Sequence, residues 1–486
     1  MAKLTQEGLT SISPEVMAGY EPVIGLEVHV QLKTATKAFC ACSTRFGDPP
    51  NSNTCPVCLG LPGALPVLNK RAVELGIRAA LALHLNVQDF SRFARKNYFY
   101  PDLPKGYQIS MYELPLATAG YLEIEHDGQV KRIGITRLHL EDDAAKNLHE
   151  GFPDSAEKSY VDYNRGGTPL AEIVSEPDLR SPTEAHAYLT ALKEVMLYTE
   201  VSDCNMEEGS LRCDANVSVR RRGAEKFGTK AEVKNLNSFR YLQRALEYEI
   251  ERQIGVLESG GKIMQETRLW NVAAGRTEPM RSKEFARDYR YFPEPDLLPV
   301  RVSAAWRDEI ARLMPELPDA KRKRFVREYG ITPYDAGVLC STRELADYFE
   351  AVVRKGAPPK LAANWIQTEV LRSDARPIDW ILAEVLIGIQ NGRITAAVAK
   401  KIFPKMVETG KSAAEIMEAE GLSQINDTDE IEQWCREVIE KNPDNLAKYR
   451  AGNEGVFKFF VGQVMRASRG QANPQTVNDT LKRLLS

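Results

Sequence analysis

Apolar and polar positions alternate along 24–32. Ile24, Leu26, Val28, Val30 and Leu32 fall on one side of a strand, and Glu27, His29 and Gln31 on the other. Three later stretches repeat the pattern. In 133–142, Arg137, His139 and Glu141 oppose Leu138 and Leu140; in 211–219, Arg212, Asp214, Asn216 and Ser218 oppose Leu211, Cys213, Ala215, Val217 and Val219. In 229–235, Lys230, Glu232 and Lys234 oppose Ala231 and Val233. One such strand says only that it is half-buried. Four predict a largely antiparallel sheet with one face on a core and the other an open platform of carboxylates and cations. Helical periods separate the strands at 71–85, 182–198 and 237–259, the second with Ser181 as N-cap and Pro182 at the first helical position. From Ser303 onward the period is helical throughout, at 306–313, 318–329, 341–353, 360–371 and 378–391, with shorter helices after Ala396. The expected architecture is therefore α+β. A sheet domain over 1–298 is followed by an all-helical domain over 299–405 and a small helical tail domain over 406–486.

Two segments break both periods. Residues 95–107, Arg-Lys-Asn-Tyr-Phe-Tyr-Pro-Asp-Leu-Pro-Lys-Gly-Tyr, carry two prolines, which exclude a regular helix or a central strand. They read either as a loop holding phosphate through Lys96 or Lys105 and stacking a base on a tyrosine, or as a well-packed turn. Residues 288–296, Asp-Tyr-Arg-Tyr-Phe-Pro-Glu-Pro-Asp, are aromatic, charged and proline-broken, and are expected to close the first domain.

The alternating strand at 24–32 leads into Cys40-x-Cys42 and, twelve residues on, Cys55-x-x-Cys58. This spacing, with a turn-rich segment between the pairs, predicts a four-thiolate zinc knuckle rather than unrelated thiols or disulfides. Four cysteines leave no open ligand position, so the zinc is expected to be structural. On the strand, a carboxylate, an imidazole and an amide in a row suit Mg²⁺ or Mn²⁺, or form a solvated strand face. Carboxylates for a hard cation, beside lysines and arginines for phosphate oxygens, suit phosphoryl transfer from ATP. The chain has no Gly-x-x-x-x-Gly-Lys-Ser/Thr, so a nucleotide site must use the sheet and not a P-loop.

Charge adds one asymmetry. The net charge of −3 gives no hint of nucleic acid, but residues 446–486 hold seven Lys/Arg against two Asp/Glu. A tail of +5 on a body of −8 points to a polyanionic partner. The run Lys321-Arg322-Lys323-Arg324 reads first as a solvated helix face and second as an RNA contact. Residues 1–20 lack the basic and apolar regions of a signal peptide, and no apolar run approaches the length of a bilayer span. A cytoplasmic protein with no membrane partner is expected.

In order along the chain stand Gly25-Leu26-Glu27-Val28-His29, the four cysteines, Arg95 to Asp102, His139-Leu140-Glu141, Glu207 to Asn216, Lys234 to Ser238, Asp288 to Asp296, and, in the tail, Gly462 to Met465 with Ala472-Asn473-Pro474. Over almost its whole length the chain closely resembles the B-subunit family of the glutamyl/aspartyl-tRNA amidotransferases. The resemblance implies a cradle domain like the glutamine synthetase sheet, then helical and tail domains that contact the tRNA. It implies a heterotrimer in which an amidase (glutaminase) subunit releases ammonia from glutamine and a small third subunit holds the pair together. The B subunit would activate the side-chain carboxylate of Glu-tRNA(Gln), and in many organisms Asp-tRNA(Asn), with ATP, and ammonia would displace phosphate. Carried over by motif, the cation ligands are Glu27, His29, Glu141, Asp214 and Glu232. Lys96, Tyr98, Arg212 and Lys230 are candidates to touch nucleotide or the acylated 3′ end, with Lys146 a further one.

Two other classes compete. A metal-dependent hydrolase using Glu27 and His29 lacks a His-Glu-x-x-His motif, and a non-enzymatic zinc-containing RNA scaffold would need only the knuckle and the tail. A glutaminase within this chain would need Cys204 or Cys213 activated, and neither has a histidine nearby in sequence.

Overall fold

The structure, a computed structural model, describes residues 12–485 apart from 149–150, 156, 281–288, 373–375, 421–427, 452, 469 and 471. Asp288 of the aromatic segment and Arg469 and Gln471 of the tail lie outside the described residues. The chain divides into two compact units, Met1–Leu317 and Pro318–Ser486.

The first unit is built on the alternation read above. Helix α1 (Pro14–Ala18) leads into β1 (Tyr20–Gln31), and α2 (Lys70–Ala82) follows the cysteine-rich loop. Then come β2 (Asn86–Val87), β3 (Phe90–Asn97), β4 (Tyr107–Leu114), β5 (Ala117–His126) and β6 (Gln129–Asp142). Strands β7 (Lys146–Leu148) and β8 (Tyr160–Asp162) pair only with each other. The chain continues through β9 (Pro169–Ser175), α3 (Pro182–Tyr198), β10 (Leu211–Arg221), β11 (Ala231–Lys234) and α4 (Phe239–Glu258). It ends with β12 (Glu266–Asn271), β13 (Arg276–Pro279), β14 (Phe292–Pro293), β15 (Val300–Arg301) and α5 (Ala304–Arg312).

These strands form one sheet in the order β13-β12-β11-β10-β1-β9-β6-β4-β3-β14, with β5 on β6, β2 on β5 and β15 on β3. Every pairing is antiparallel except β11 with β12. Ile24, Leu26, Val28 and Val30 of β1 are fully buried on the helix-covered side with Leu138, Ile173, Cys213, Ala215 and Val217. Helices α2, α3 and α4 close that core through Leu75, Ile77, Leu189, Leu192, Leu242 and Leu246. Ser181 caps α3, accepting from the Glu184 amide, with Pro182 opening the helix as its sequence predicts.

Segment 95–107 differs from expectation. Arg95 to Asn97 end β3 and Tyr107 begins β4, so both prolines sit in the connection and neither removes a ladder hydrogen bond. The first unit also runs past residue 298. Strand β15 pairs with β3, Ile310 of α5 is buried in the sheet's core, and the Lys70 ammonium lies 5.6 Å from the Trp306 ring centroid.

In the second unit, α6 (Pro318–Tyr329), α7 (Pro333–Leu339), α8 (Arg343–Arg354), α9 (Pro359–Trp365), α10 (Asp379–Gln390), α11 (Ala396–Thr409) and α12 (Ala413–Ala419) share one apolar cluster around Phe325, Phe349, Trp365, Leu382, Leu386 and Phe403. A separate cluster joins α13 (Thr428–Glu440), α15 (Phe457–Ala467) and α16 (Pro474–Leu485) through Ile431, Cys435, Phe460, Val464, Val477 and Leu481, with Leu446 of α14 (Pro443–Arg450) packed beside it. The division expected at 405 falls inside α11. The basic run on α6 is neither a plain solvated face nor an open RNA contact. Lys321 is buried with its ammonium 2.5 Å from Asp347 and 3.2 Å from Glu350, Arg324 reaches Glu350 at 2.9 Å, and the run bolts α6 to α8. Among the described residues no helix is long and apolar enough to cross a membrane.

One polar network holds α4 to the sheet edge. The fully buried Glu249 carboxylate accepts from Arg252, Gln253 and Thr277, with Arg268 of β12 at 3.3 Å. Glu249→Ala leaves Arg252 and Arg268 with Glu266 as their one remaining carboxylate and takes the acceptor from Gln253 and Thr277, and should destabilise the unit by about 3 kcal/mol. Urea unfolding of the variant measures this loss directly.

Candidate functional site

Strand register assembles a charged centre on the open face. His29 of β1 stands opposite Glu172 of β9, and Glu172 opposite His139 of β6. Glu141 lies two residues beyond His139, on the same side of β6. The His29 Nε2 atom is 3.4 Å from Glu172 and 3.8 Å from Glu141, while His139 Nε2 is 3.4 Å from Glu172 and 3.5 Å from Glu141. One ligand atom each from His29, Glu141 and Glu172 lie within 4.8 Å of one another. An imidazole with two carboxylates at that spacing is a donor set for a hard divalent cation.

Electrostatics keep the Glu172 carboxylate charged. Burial pushes the Glu172 carboxyl up, but the hydrogen bond to His29 and the charges of His139, His29 and Lys96 hold it well below the usual range. Burial disfavours the His29 imidazolium, yet its bond to Glu172 and the charge of Glu141 leave its affinity for a proton raised.

The five expected cation ligands do not fall in one place. Glu27 accepts from Asn216 Nδ2 at 2.8 Å. Lys234 bridges Asp214 at 3.1 Å and Glu232 at 3.0 Å, and Glu232 also accepts from Thr267. From β6 to β11 is four strand steps, about 19 Å along the sheet at ordinary interstrand spacing. His29 and Glu141 join Glu172, whereas Glu27 stands opposite Asp214 across β1 and β10, and Asp214 and Glu232 share Lys234 on the same face.

The expected cations are placed as differently. Arg212 is held at 2.9 Å by Asp143, which also accepts from Gln31. Lys105 is not available for phosphate as expected: its ammonium is 2.5 Å from the buried Asp142. Lys96 projects from β3 over the Tyr289 ring, 5.0 Å from its centroid. Lys230 precedes β11 and Lys146 lies on β7, and both are exposed. Tyr98 lies beside Tyr289, its hydroxyl pushed up by burial and then by Asp102, Glu141 and Asp142.

The aromatic segment closes the site. Phe292 and Pro293 pair with Arg95 and Ala94 of β3, and Arg95 grips the buried Glu294 carboxylate with two bonds of 2.7 and 2.8 Å. Asn97 binds the Tyr289 and Arg290 carbonyls. So docked, Tyr291 stacks on Tyr112 with centroids 5.0 Å apart, and Tyr112 meets His139 edge-on.

At the knuckle, the sulfurs of Cys40, Cys42, Cys55 and Cys58 lie within 4.8 Å of one another and form no disulfide. Fully buried Lys37 places its ammonium 3.7 Å from Cys58 Sγ, 2.7 Å from the Asn53 carbonyl and 3.1 Å from the Tyr163 carbonyl. The Cys55 amide donates to the same sulfur. Away from the knuckle, burial pushes the Cys204 thiol up to about 12 and the Cys213 thiol well above its usual value, so neither is a nucleophile near neutral pH.

Residues 22–308 match the family model described as the GatB/GatE catalytic domain, and residues 347–485 the one described as the GatB domain. The chain belongs to the GatB family. A relative from Carboxydothermus hydrogenoformans is 55% identical over 477 residues, covering 96% of this chain and 99% of its own. One from Geotalea daltonii is 55% identical over 475 residues and one from Thermodesulfovibrio yellowstonii 52% over 477, with the same coverage of both chains. Each of the three is named as the B subunit of an aspartyl/glutamyl-tRNA(Asn/Gln) amidotransferase.

Within this GatB chain, Glu172 is the residue that sequence reasoning missed. Strand β9, Pro-Leu-Ala-Glu-Ile-Val-Ser, has one charged side chain in an apolar run and so shows no polar stripe. Its signal was a lone glutamate in a short strand bounded by Gly166, Gly167 and Pro169. The closing segment is testable by itself. Glu294→Ala removes the buried two-bond partner of Arg95 and leaves it only Asp296, so amide exchange at Asn97 and at position 294 should quicken by on the order of tenfold or more, with the cysteine knuckle unaffected. Hydrogen–deuterium exchange with peptide resolution reads both regions at once.

Proposed function

We infer that this chain is the carboxylate-activating subunit of a tRNA-dependent amidotransferase. It uses ATP to activate the side-chain carboxylate of Glu-tRNA(Gln), Asp-tRNA(Asn) or both, and the activated group is aminated by ammonia from a partner glutaminase. The reading is carried by the imidazole–dicarboxylate centre lying on an open sheet face, in a chain whose full-length relatives are named as the B subunit of such enzymes. Their name as B subunits supports a place in a multi-subunit complex. The proposal takes an amidase and a small third protein of a heterotrimer as its partners, and the cytoplasm as its location. A non-enzymatic RNA scaffold would leave unexplained why two carboxylates and two histidines are brought together and walled by tyrosines.

The donor set of His29, Glu141 and Glu172 fits Mg²⁺ or Mn²⁺ in kind and spacing. When bound there, the cation offsets charge on the phosphate oxygens of ATP. The chain's own residues do the rest. His29 and Lys96 keep Glu172 ionised, so it can serve as a ligand. The rings of Tyr98, Tyr112, Tyr289 and Tyr291 limit water at the centre, which protects an acyl phosphate from hydrolysis. Lys96, held over an aromatic face, keeps its N–H donors for a phosphate. Lys234 already offsets Asp214 and Glu232, which leaves that acidic row less donor capacity than the first centre.

The knuckle fits Zn²⁺ with four thiolates, as a structural site without an open position. Lys37 beside Cys58 would offset part of the negative charge that such a site carries.

Three outcomes test these assignments. Glu141→Gln should cut ATP-dependent amidation on the order of 10²-fold or more while the complex still assembles. Phosphate release and amidated tRNA, measured together, check this, and near-normal turnover would assign Glu141 to packing alone. Cys55→Ser should release about one zinc equivalent, because metal binding in such knuckles is also folding free energy. Metal analysis that finds no zinc in the unaltered protein would remove the assignment. Removing residues 421–486 takes away the basic tail together with α13, whose apolar face would otherwise be stripped of α15 and α16. The KM for acylated tRNA should then rise several-fold, most at low salt where phosphate contacts are strongest, with glutamine hydrolysis by the partner nearly intact. Unchanged tRNA affinity at low salt would count against a tail contact.

A further inference from the structure

The cations around the centre are not equivalent. Arg212, Lys105 and Lys234 each have a carboxylate oxygen within 3.1 Å. Their charge is already matched inside the protein.

Arg137 is different. It lies on β6 two residues before His139 and four before Glu141, on the same side of the strand. Its nearest carboxylate, Glu172, is 3.9 Å away. Its Nε is buried and has no hydrogen-bond partner among the described residues. The guanidinium carbon sits 4.4 Å from the centroid of Tyr112, which is itself stacked on Tyr291. The position of the guanidinium is thus set by an aromatic ring, which holds it without consuming its N–H groups.

A buried guanidinium N–H without an acceptor is costly, and native proteins seldom keep one for no purpose. The cost is removed if a ligand brings the acceptor. Lys96 is placed in the same way, held by the Tyr289 ring, and only β4 lies between β3 and β6. Two cations held by rings and a dicarboxylate centre beside them form a receptor for an oxyanion.

We propose that Arg137 binds a substrate oxyanion at this centre, with Tyr112 as its platform. The anion is carried by the terminal phosphate of the nucleotide or by the side-chain carboxylate of the acylated tRNA. The proposal rests on reading the site as an ATP-dependent amidation centre, and it adds a substrate-binding residue to that site.

The test uses the assembled enzyme with Arg137→Met and Arg137→Lys. Arg137→Met should lower kcat/KM for amidation on the order of tenfold to a hundredfold, as expected for the loss of one charge-assisted contact. Arg137→Lys should recover part of this, because the charge stays and the fork is lost. If the anion is phosphate, KM for ATP rises and binding of a non-hydrolysable ATP analogue weakens. If it is the aminoacyl carboxylate, KM for acylated tRNA rises and analogue binding holds. Normal constants for both substrates in Arg137→Met would overturn the proposal. So would equal losses in the Met and Lys variants accompanied by equal falls in Tm, the signature of packing. An unaltered enzyme that releases no phosphate from ATP would sink the reading of the site and this inference with it, whereas normal wild-type turnover beside an unaffected Arg137→Met overturns the inference alone.

Discussion

The site depends on the register of three strands. His29, Glu172 and His139 meet only because β1, β9 and β6 pair so that these residues stand opposite one another. The same register buries Ile24, Leu26, Val28 and Val30 completely on the other side of β1. A slip of one residue would exchange the two sets. Each of those apolar side chains stabilises the fold by roughly 1.5–3 kcal/mol when buried, so the core fixes the register that holds the polar row in place and offsets the cost of burying it.

The polar face concentrates carboxylates, and the protein assigns its cations accordingly. Asp142 and Asp143 are neighbours in sequence with opposite behaviour. Burial keeps the Asp142 carboxyl raised even with Lys105 bound to it. Asp143 is as deeply placed, but the charges of Arg212 and Arg165 with the bond from Gln31 outweigh burial and lower it. Both side chains are structural, and they use up Lys105 and Arg212. The cations left at the centre are those that aromatic rings hold in place. This division separates groups that position strands from groups that can meet a substrate.

The knuckle contributes at a distance. Lys37 bonds the Tyr163 carbonyl, the Ala38 amide donates to the Gly167 carbonyl, and the Leu32 amide to that of Pro169. These contacts anchor the segment that leads into β9, the strand that carries Glu172. A tied loop of cysteines thereby sets how the chain enters β9 between β1 and β6. The segment around Tyr289 plays the matching part at the other side, docked on β3 by the Arg95–Glu294 pair.

Much of this was legible along the chain, because alternation, caps and cysteine spacing are properties of a few consecutive residues. The alternating stretch at 24–32 determined which side of β1 is core and that His29 would share a face with Glu27 and Gln31. Ser181 with Pro182 determined where α3 begins. Two cysteine pairs twelve residues apart were enough to expect four gathered sulfurs. Partner choice is another matter. It is set by strand order and loop packing, which bring together residues more than a hundred positions apart, such as His29 and Glu172. Only the tertiary structure decided that Glu172 joins His29 and Glu141, that Asp214 and Glu232 share Lys234, and that Lys105 and Arg212 are already paired. It alone left the Arg137 Nε buried without an acceptor and only a long approach to Glu172, because a donor is matched or unmatched only by what folding places beside it.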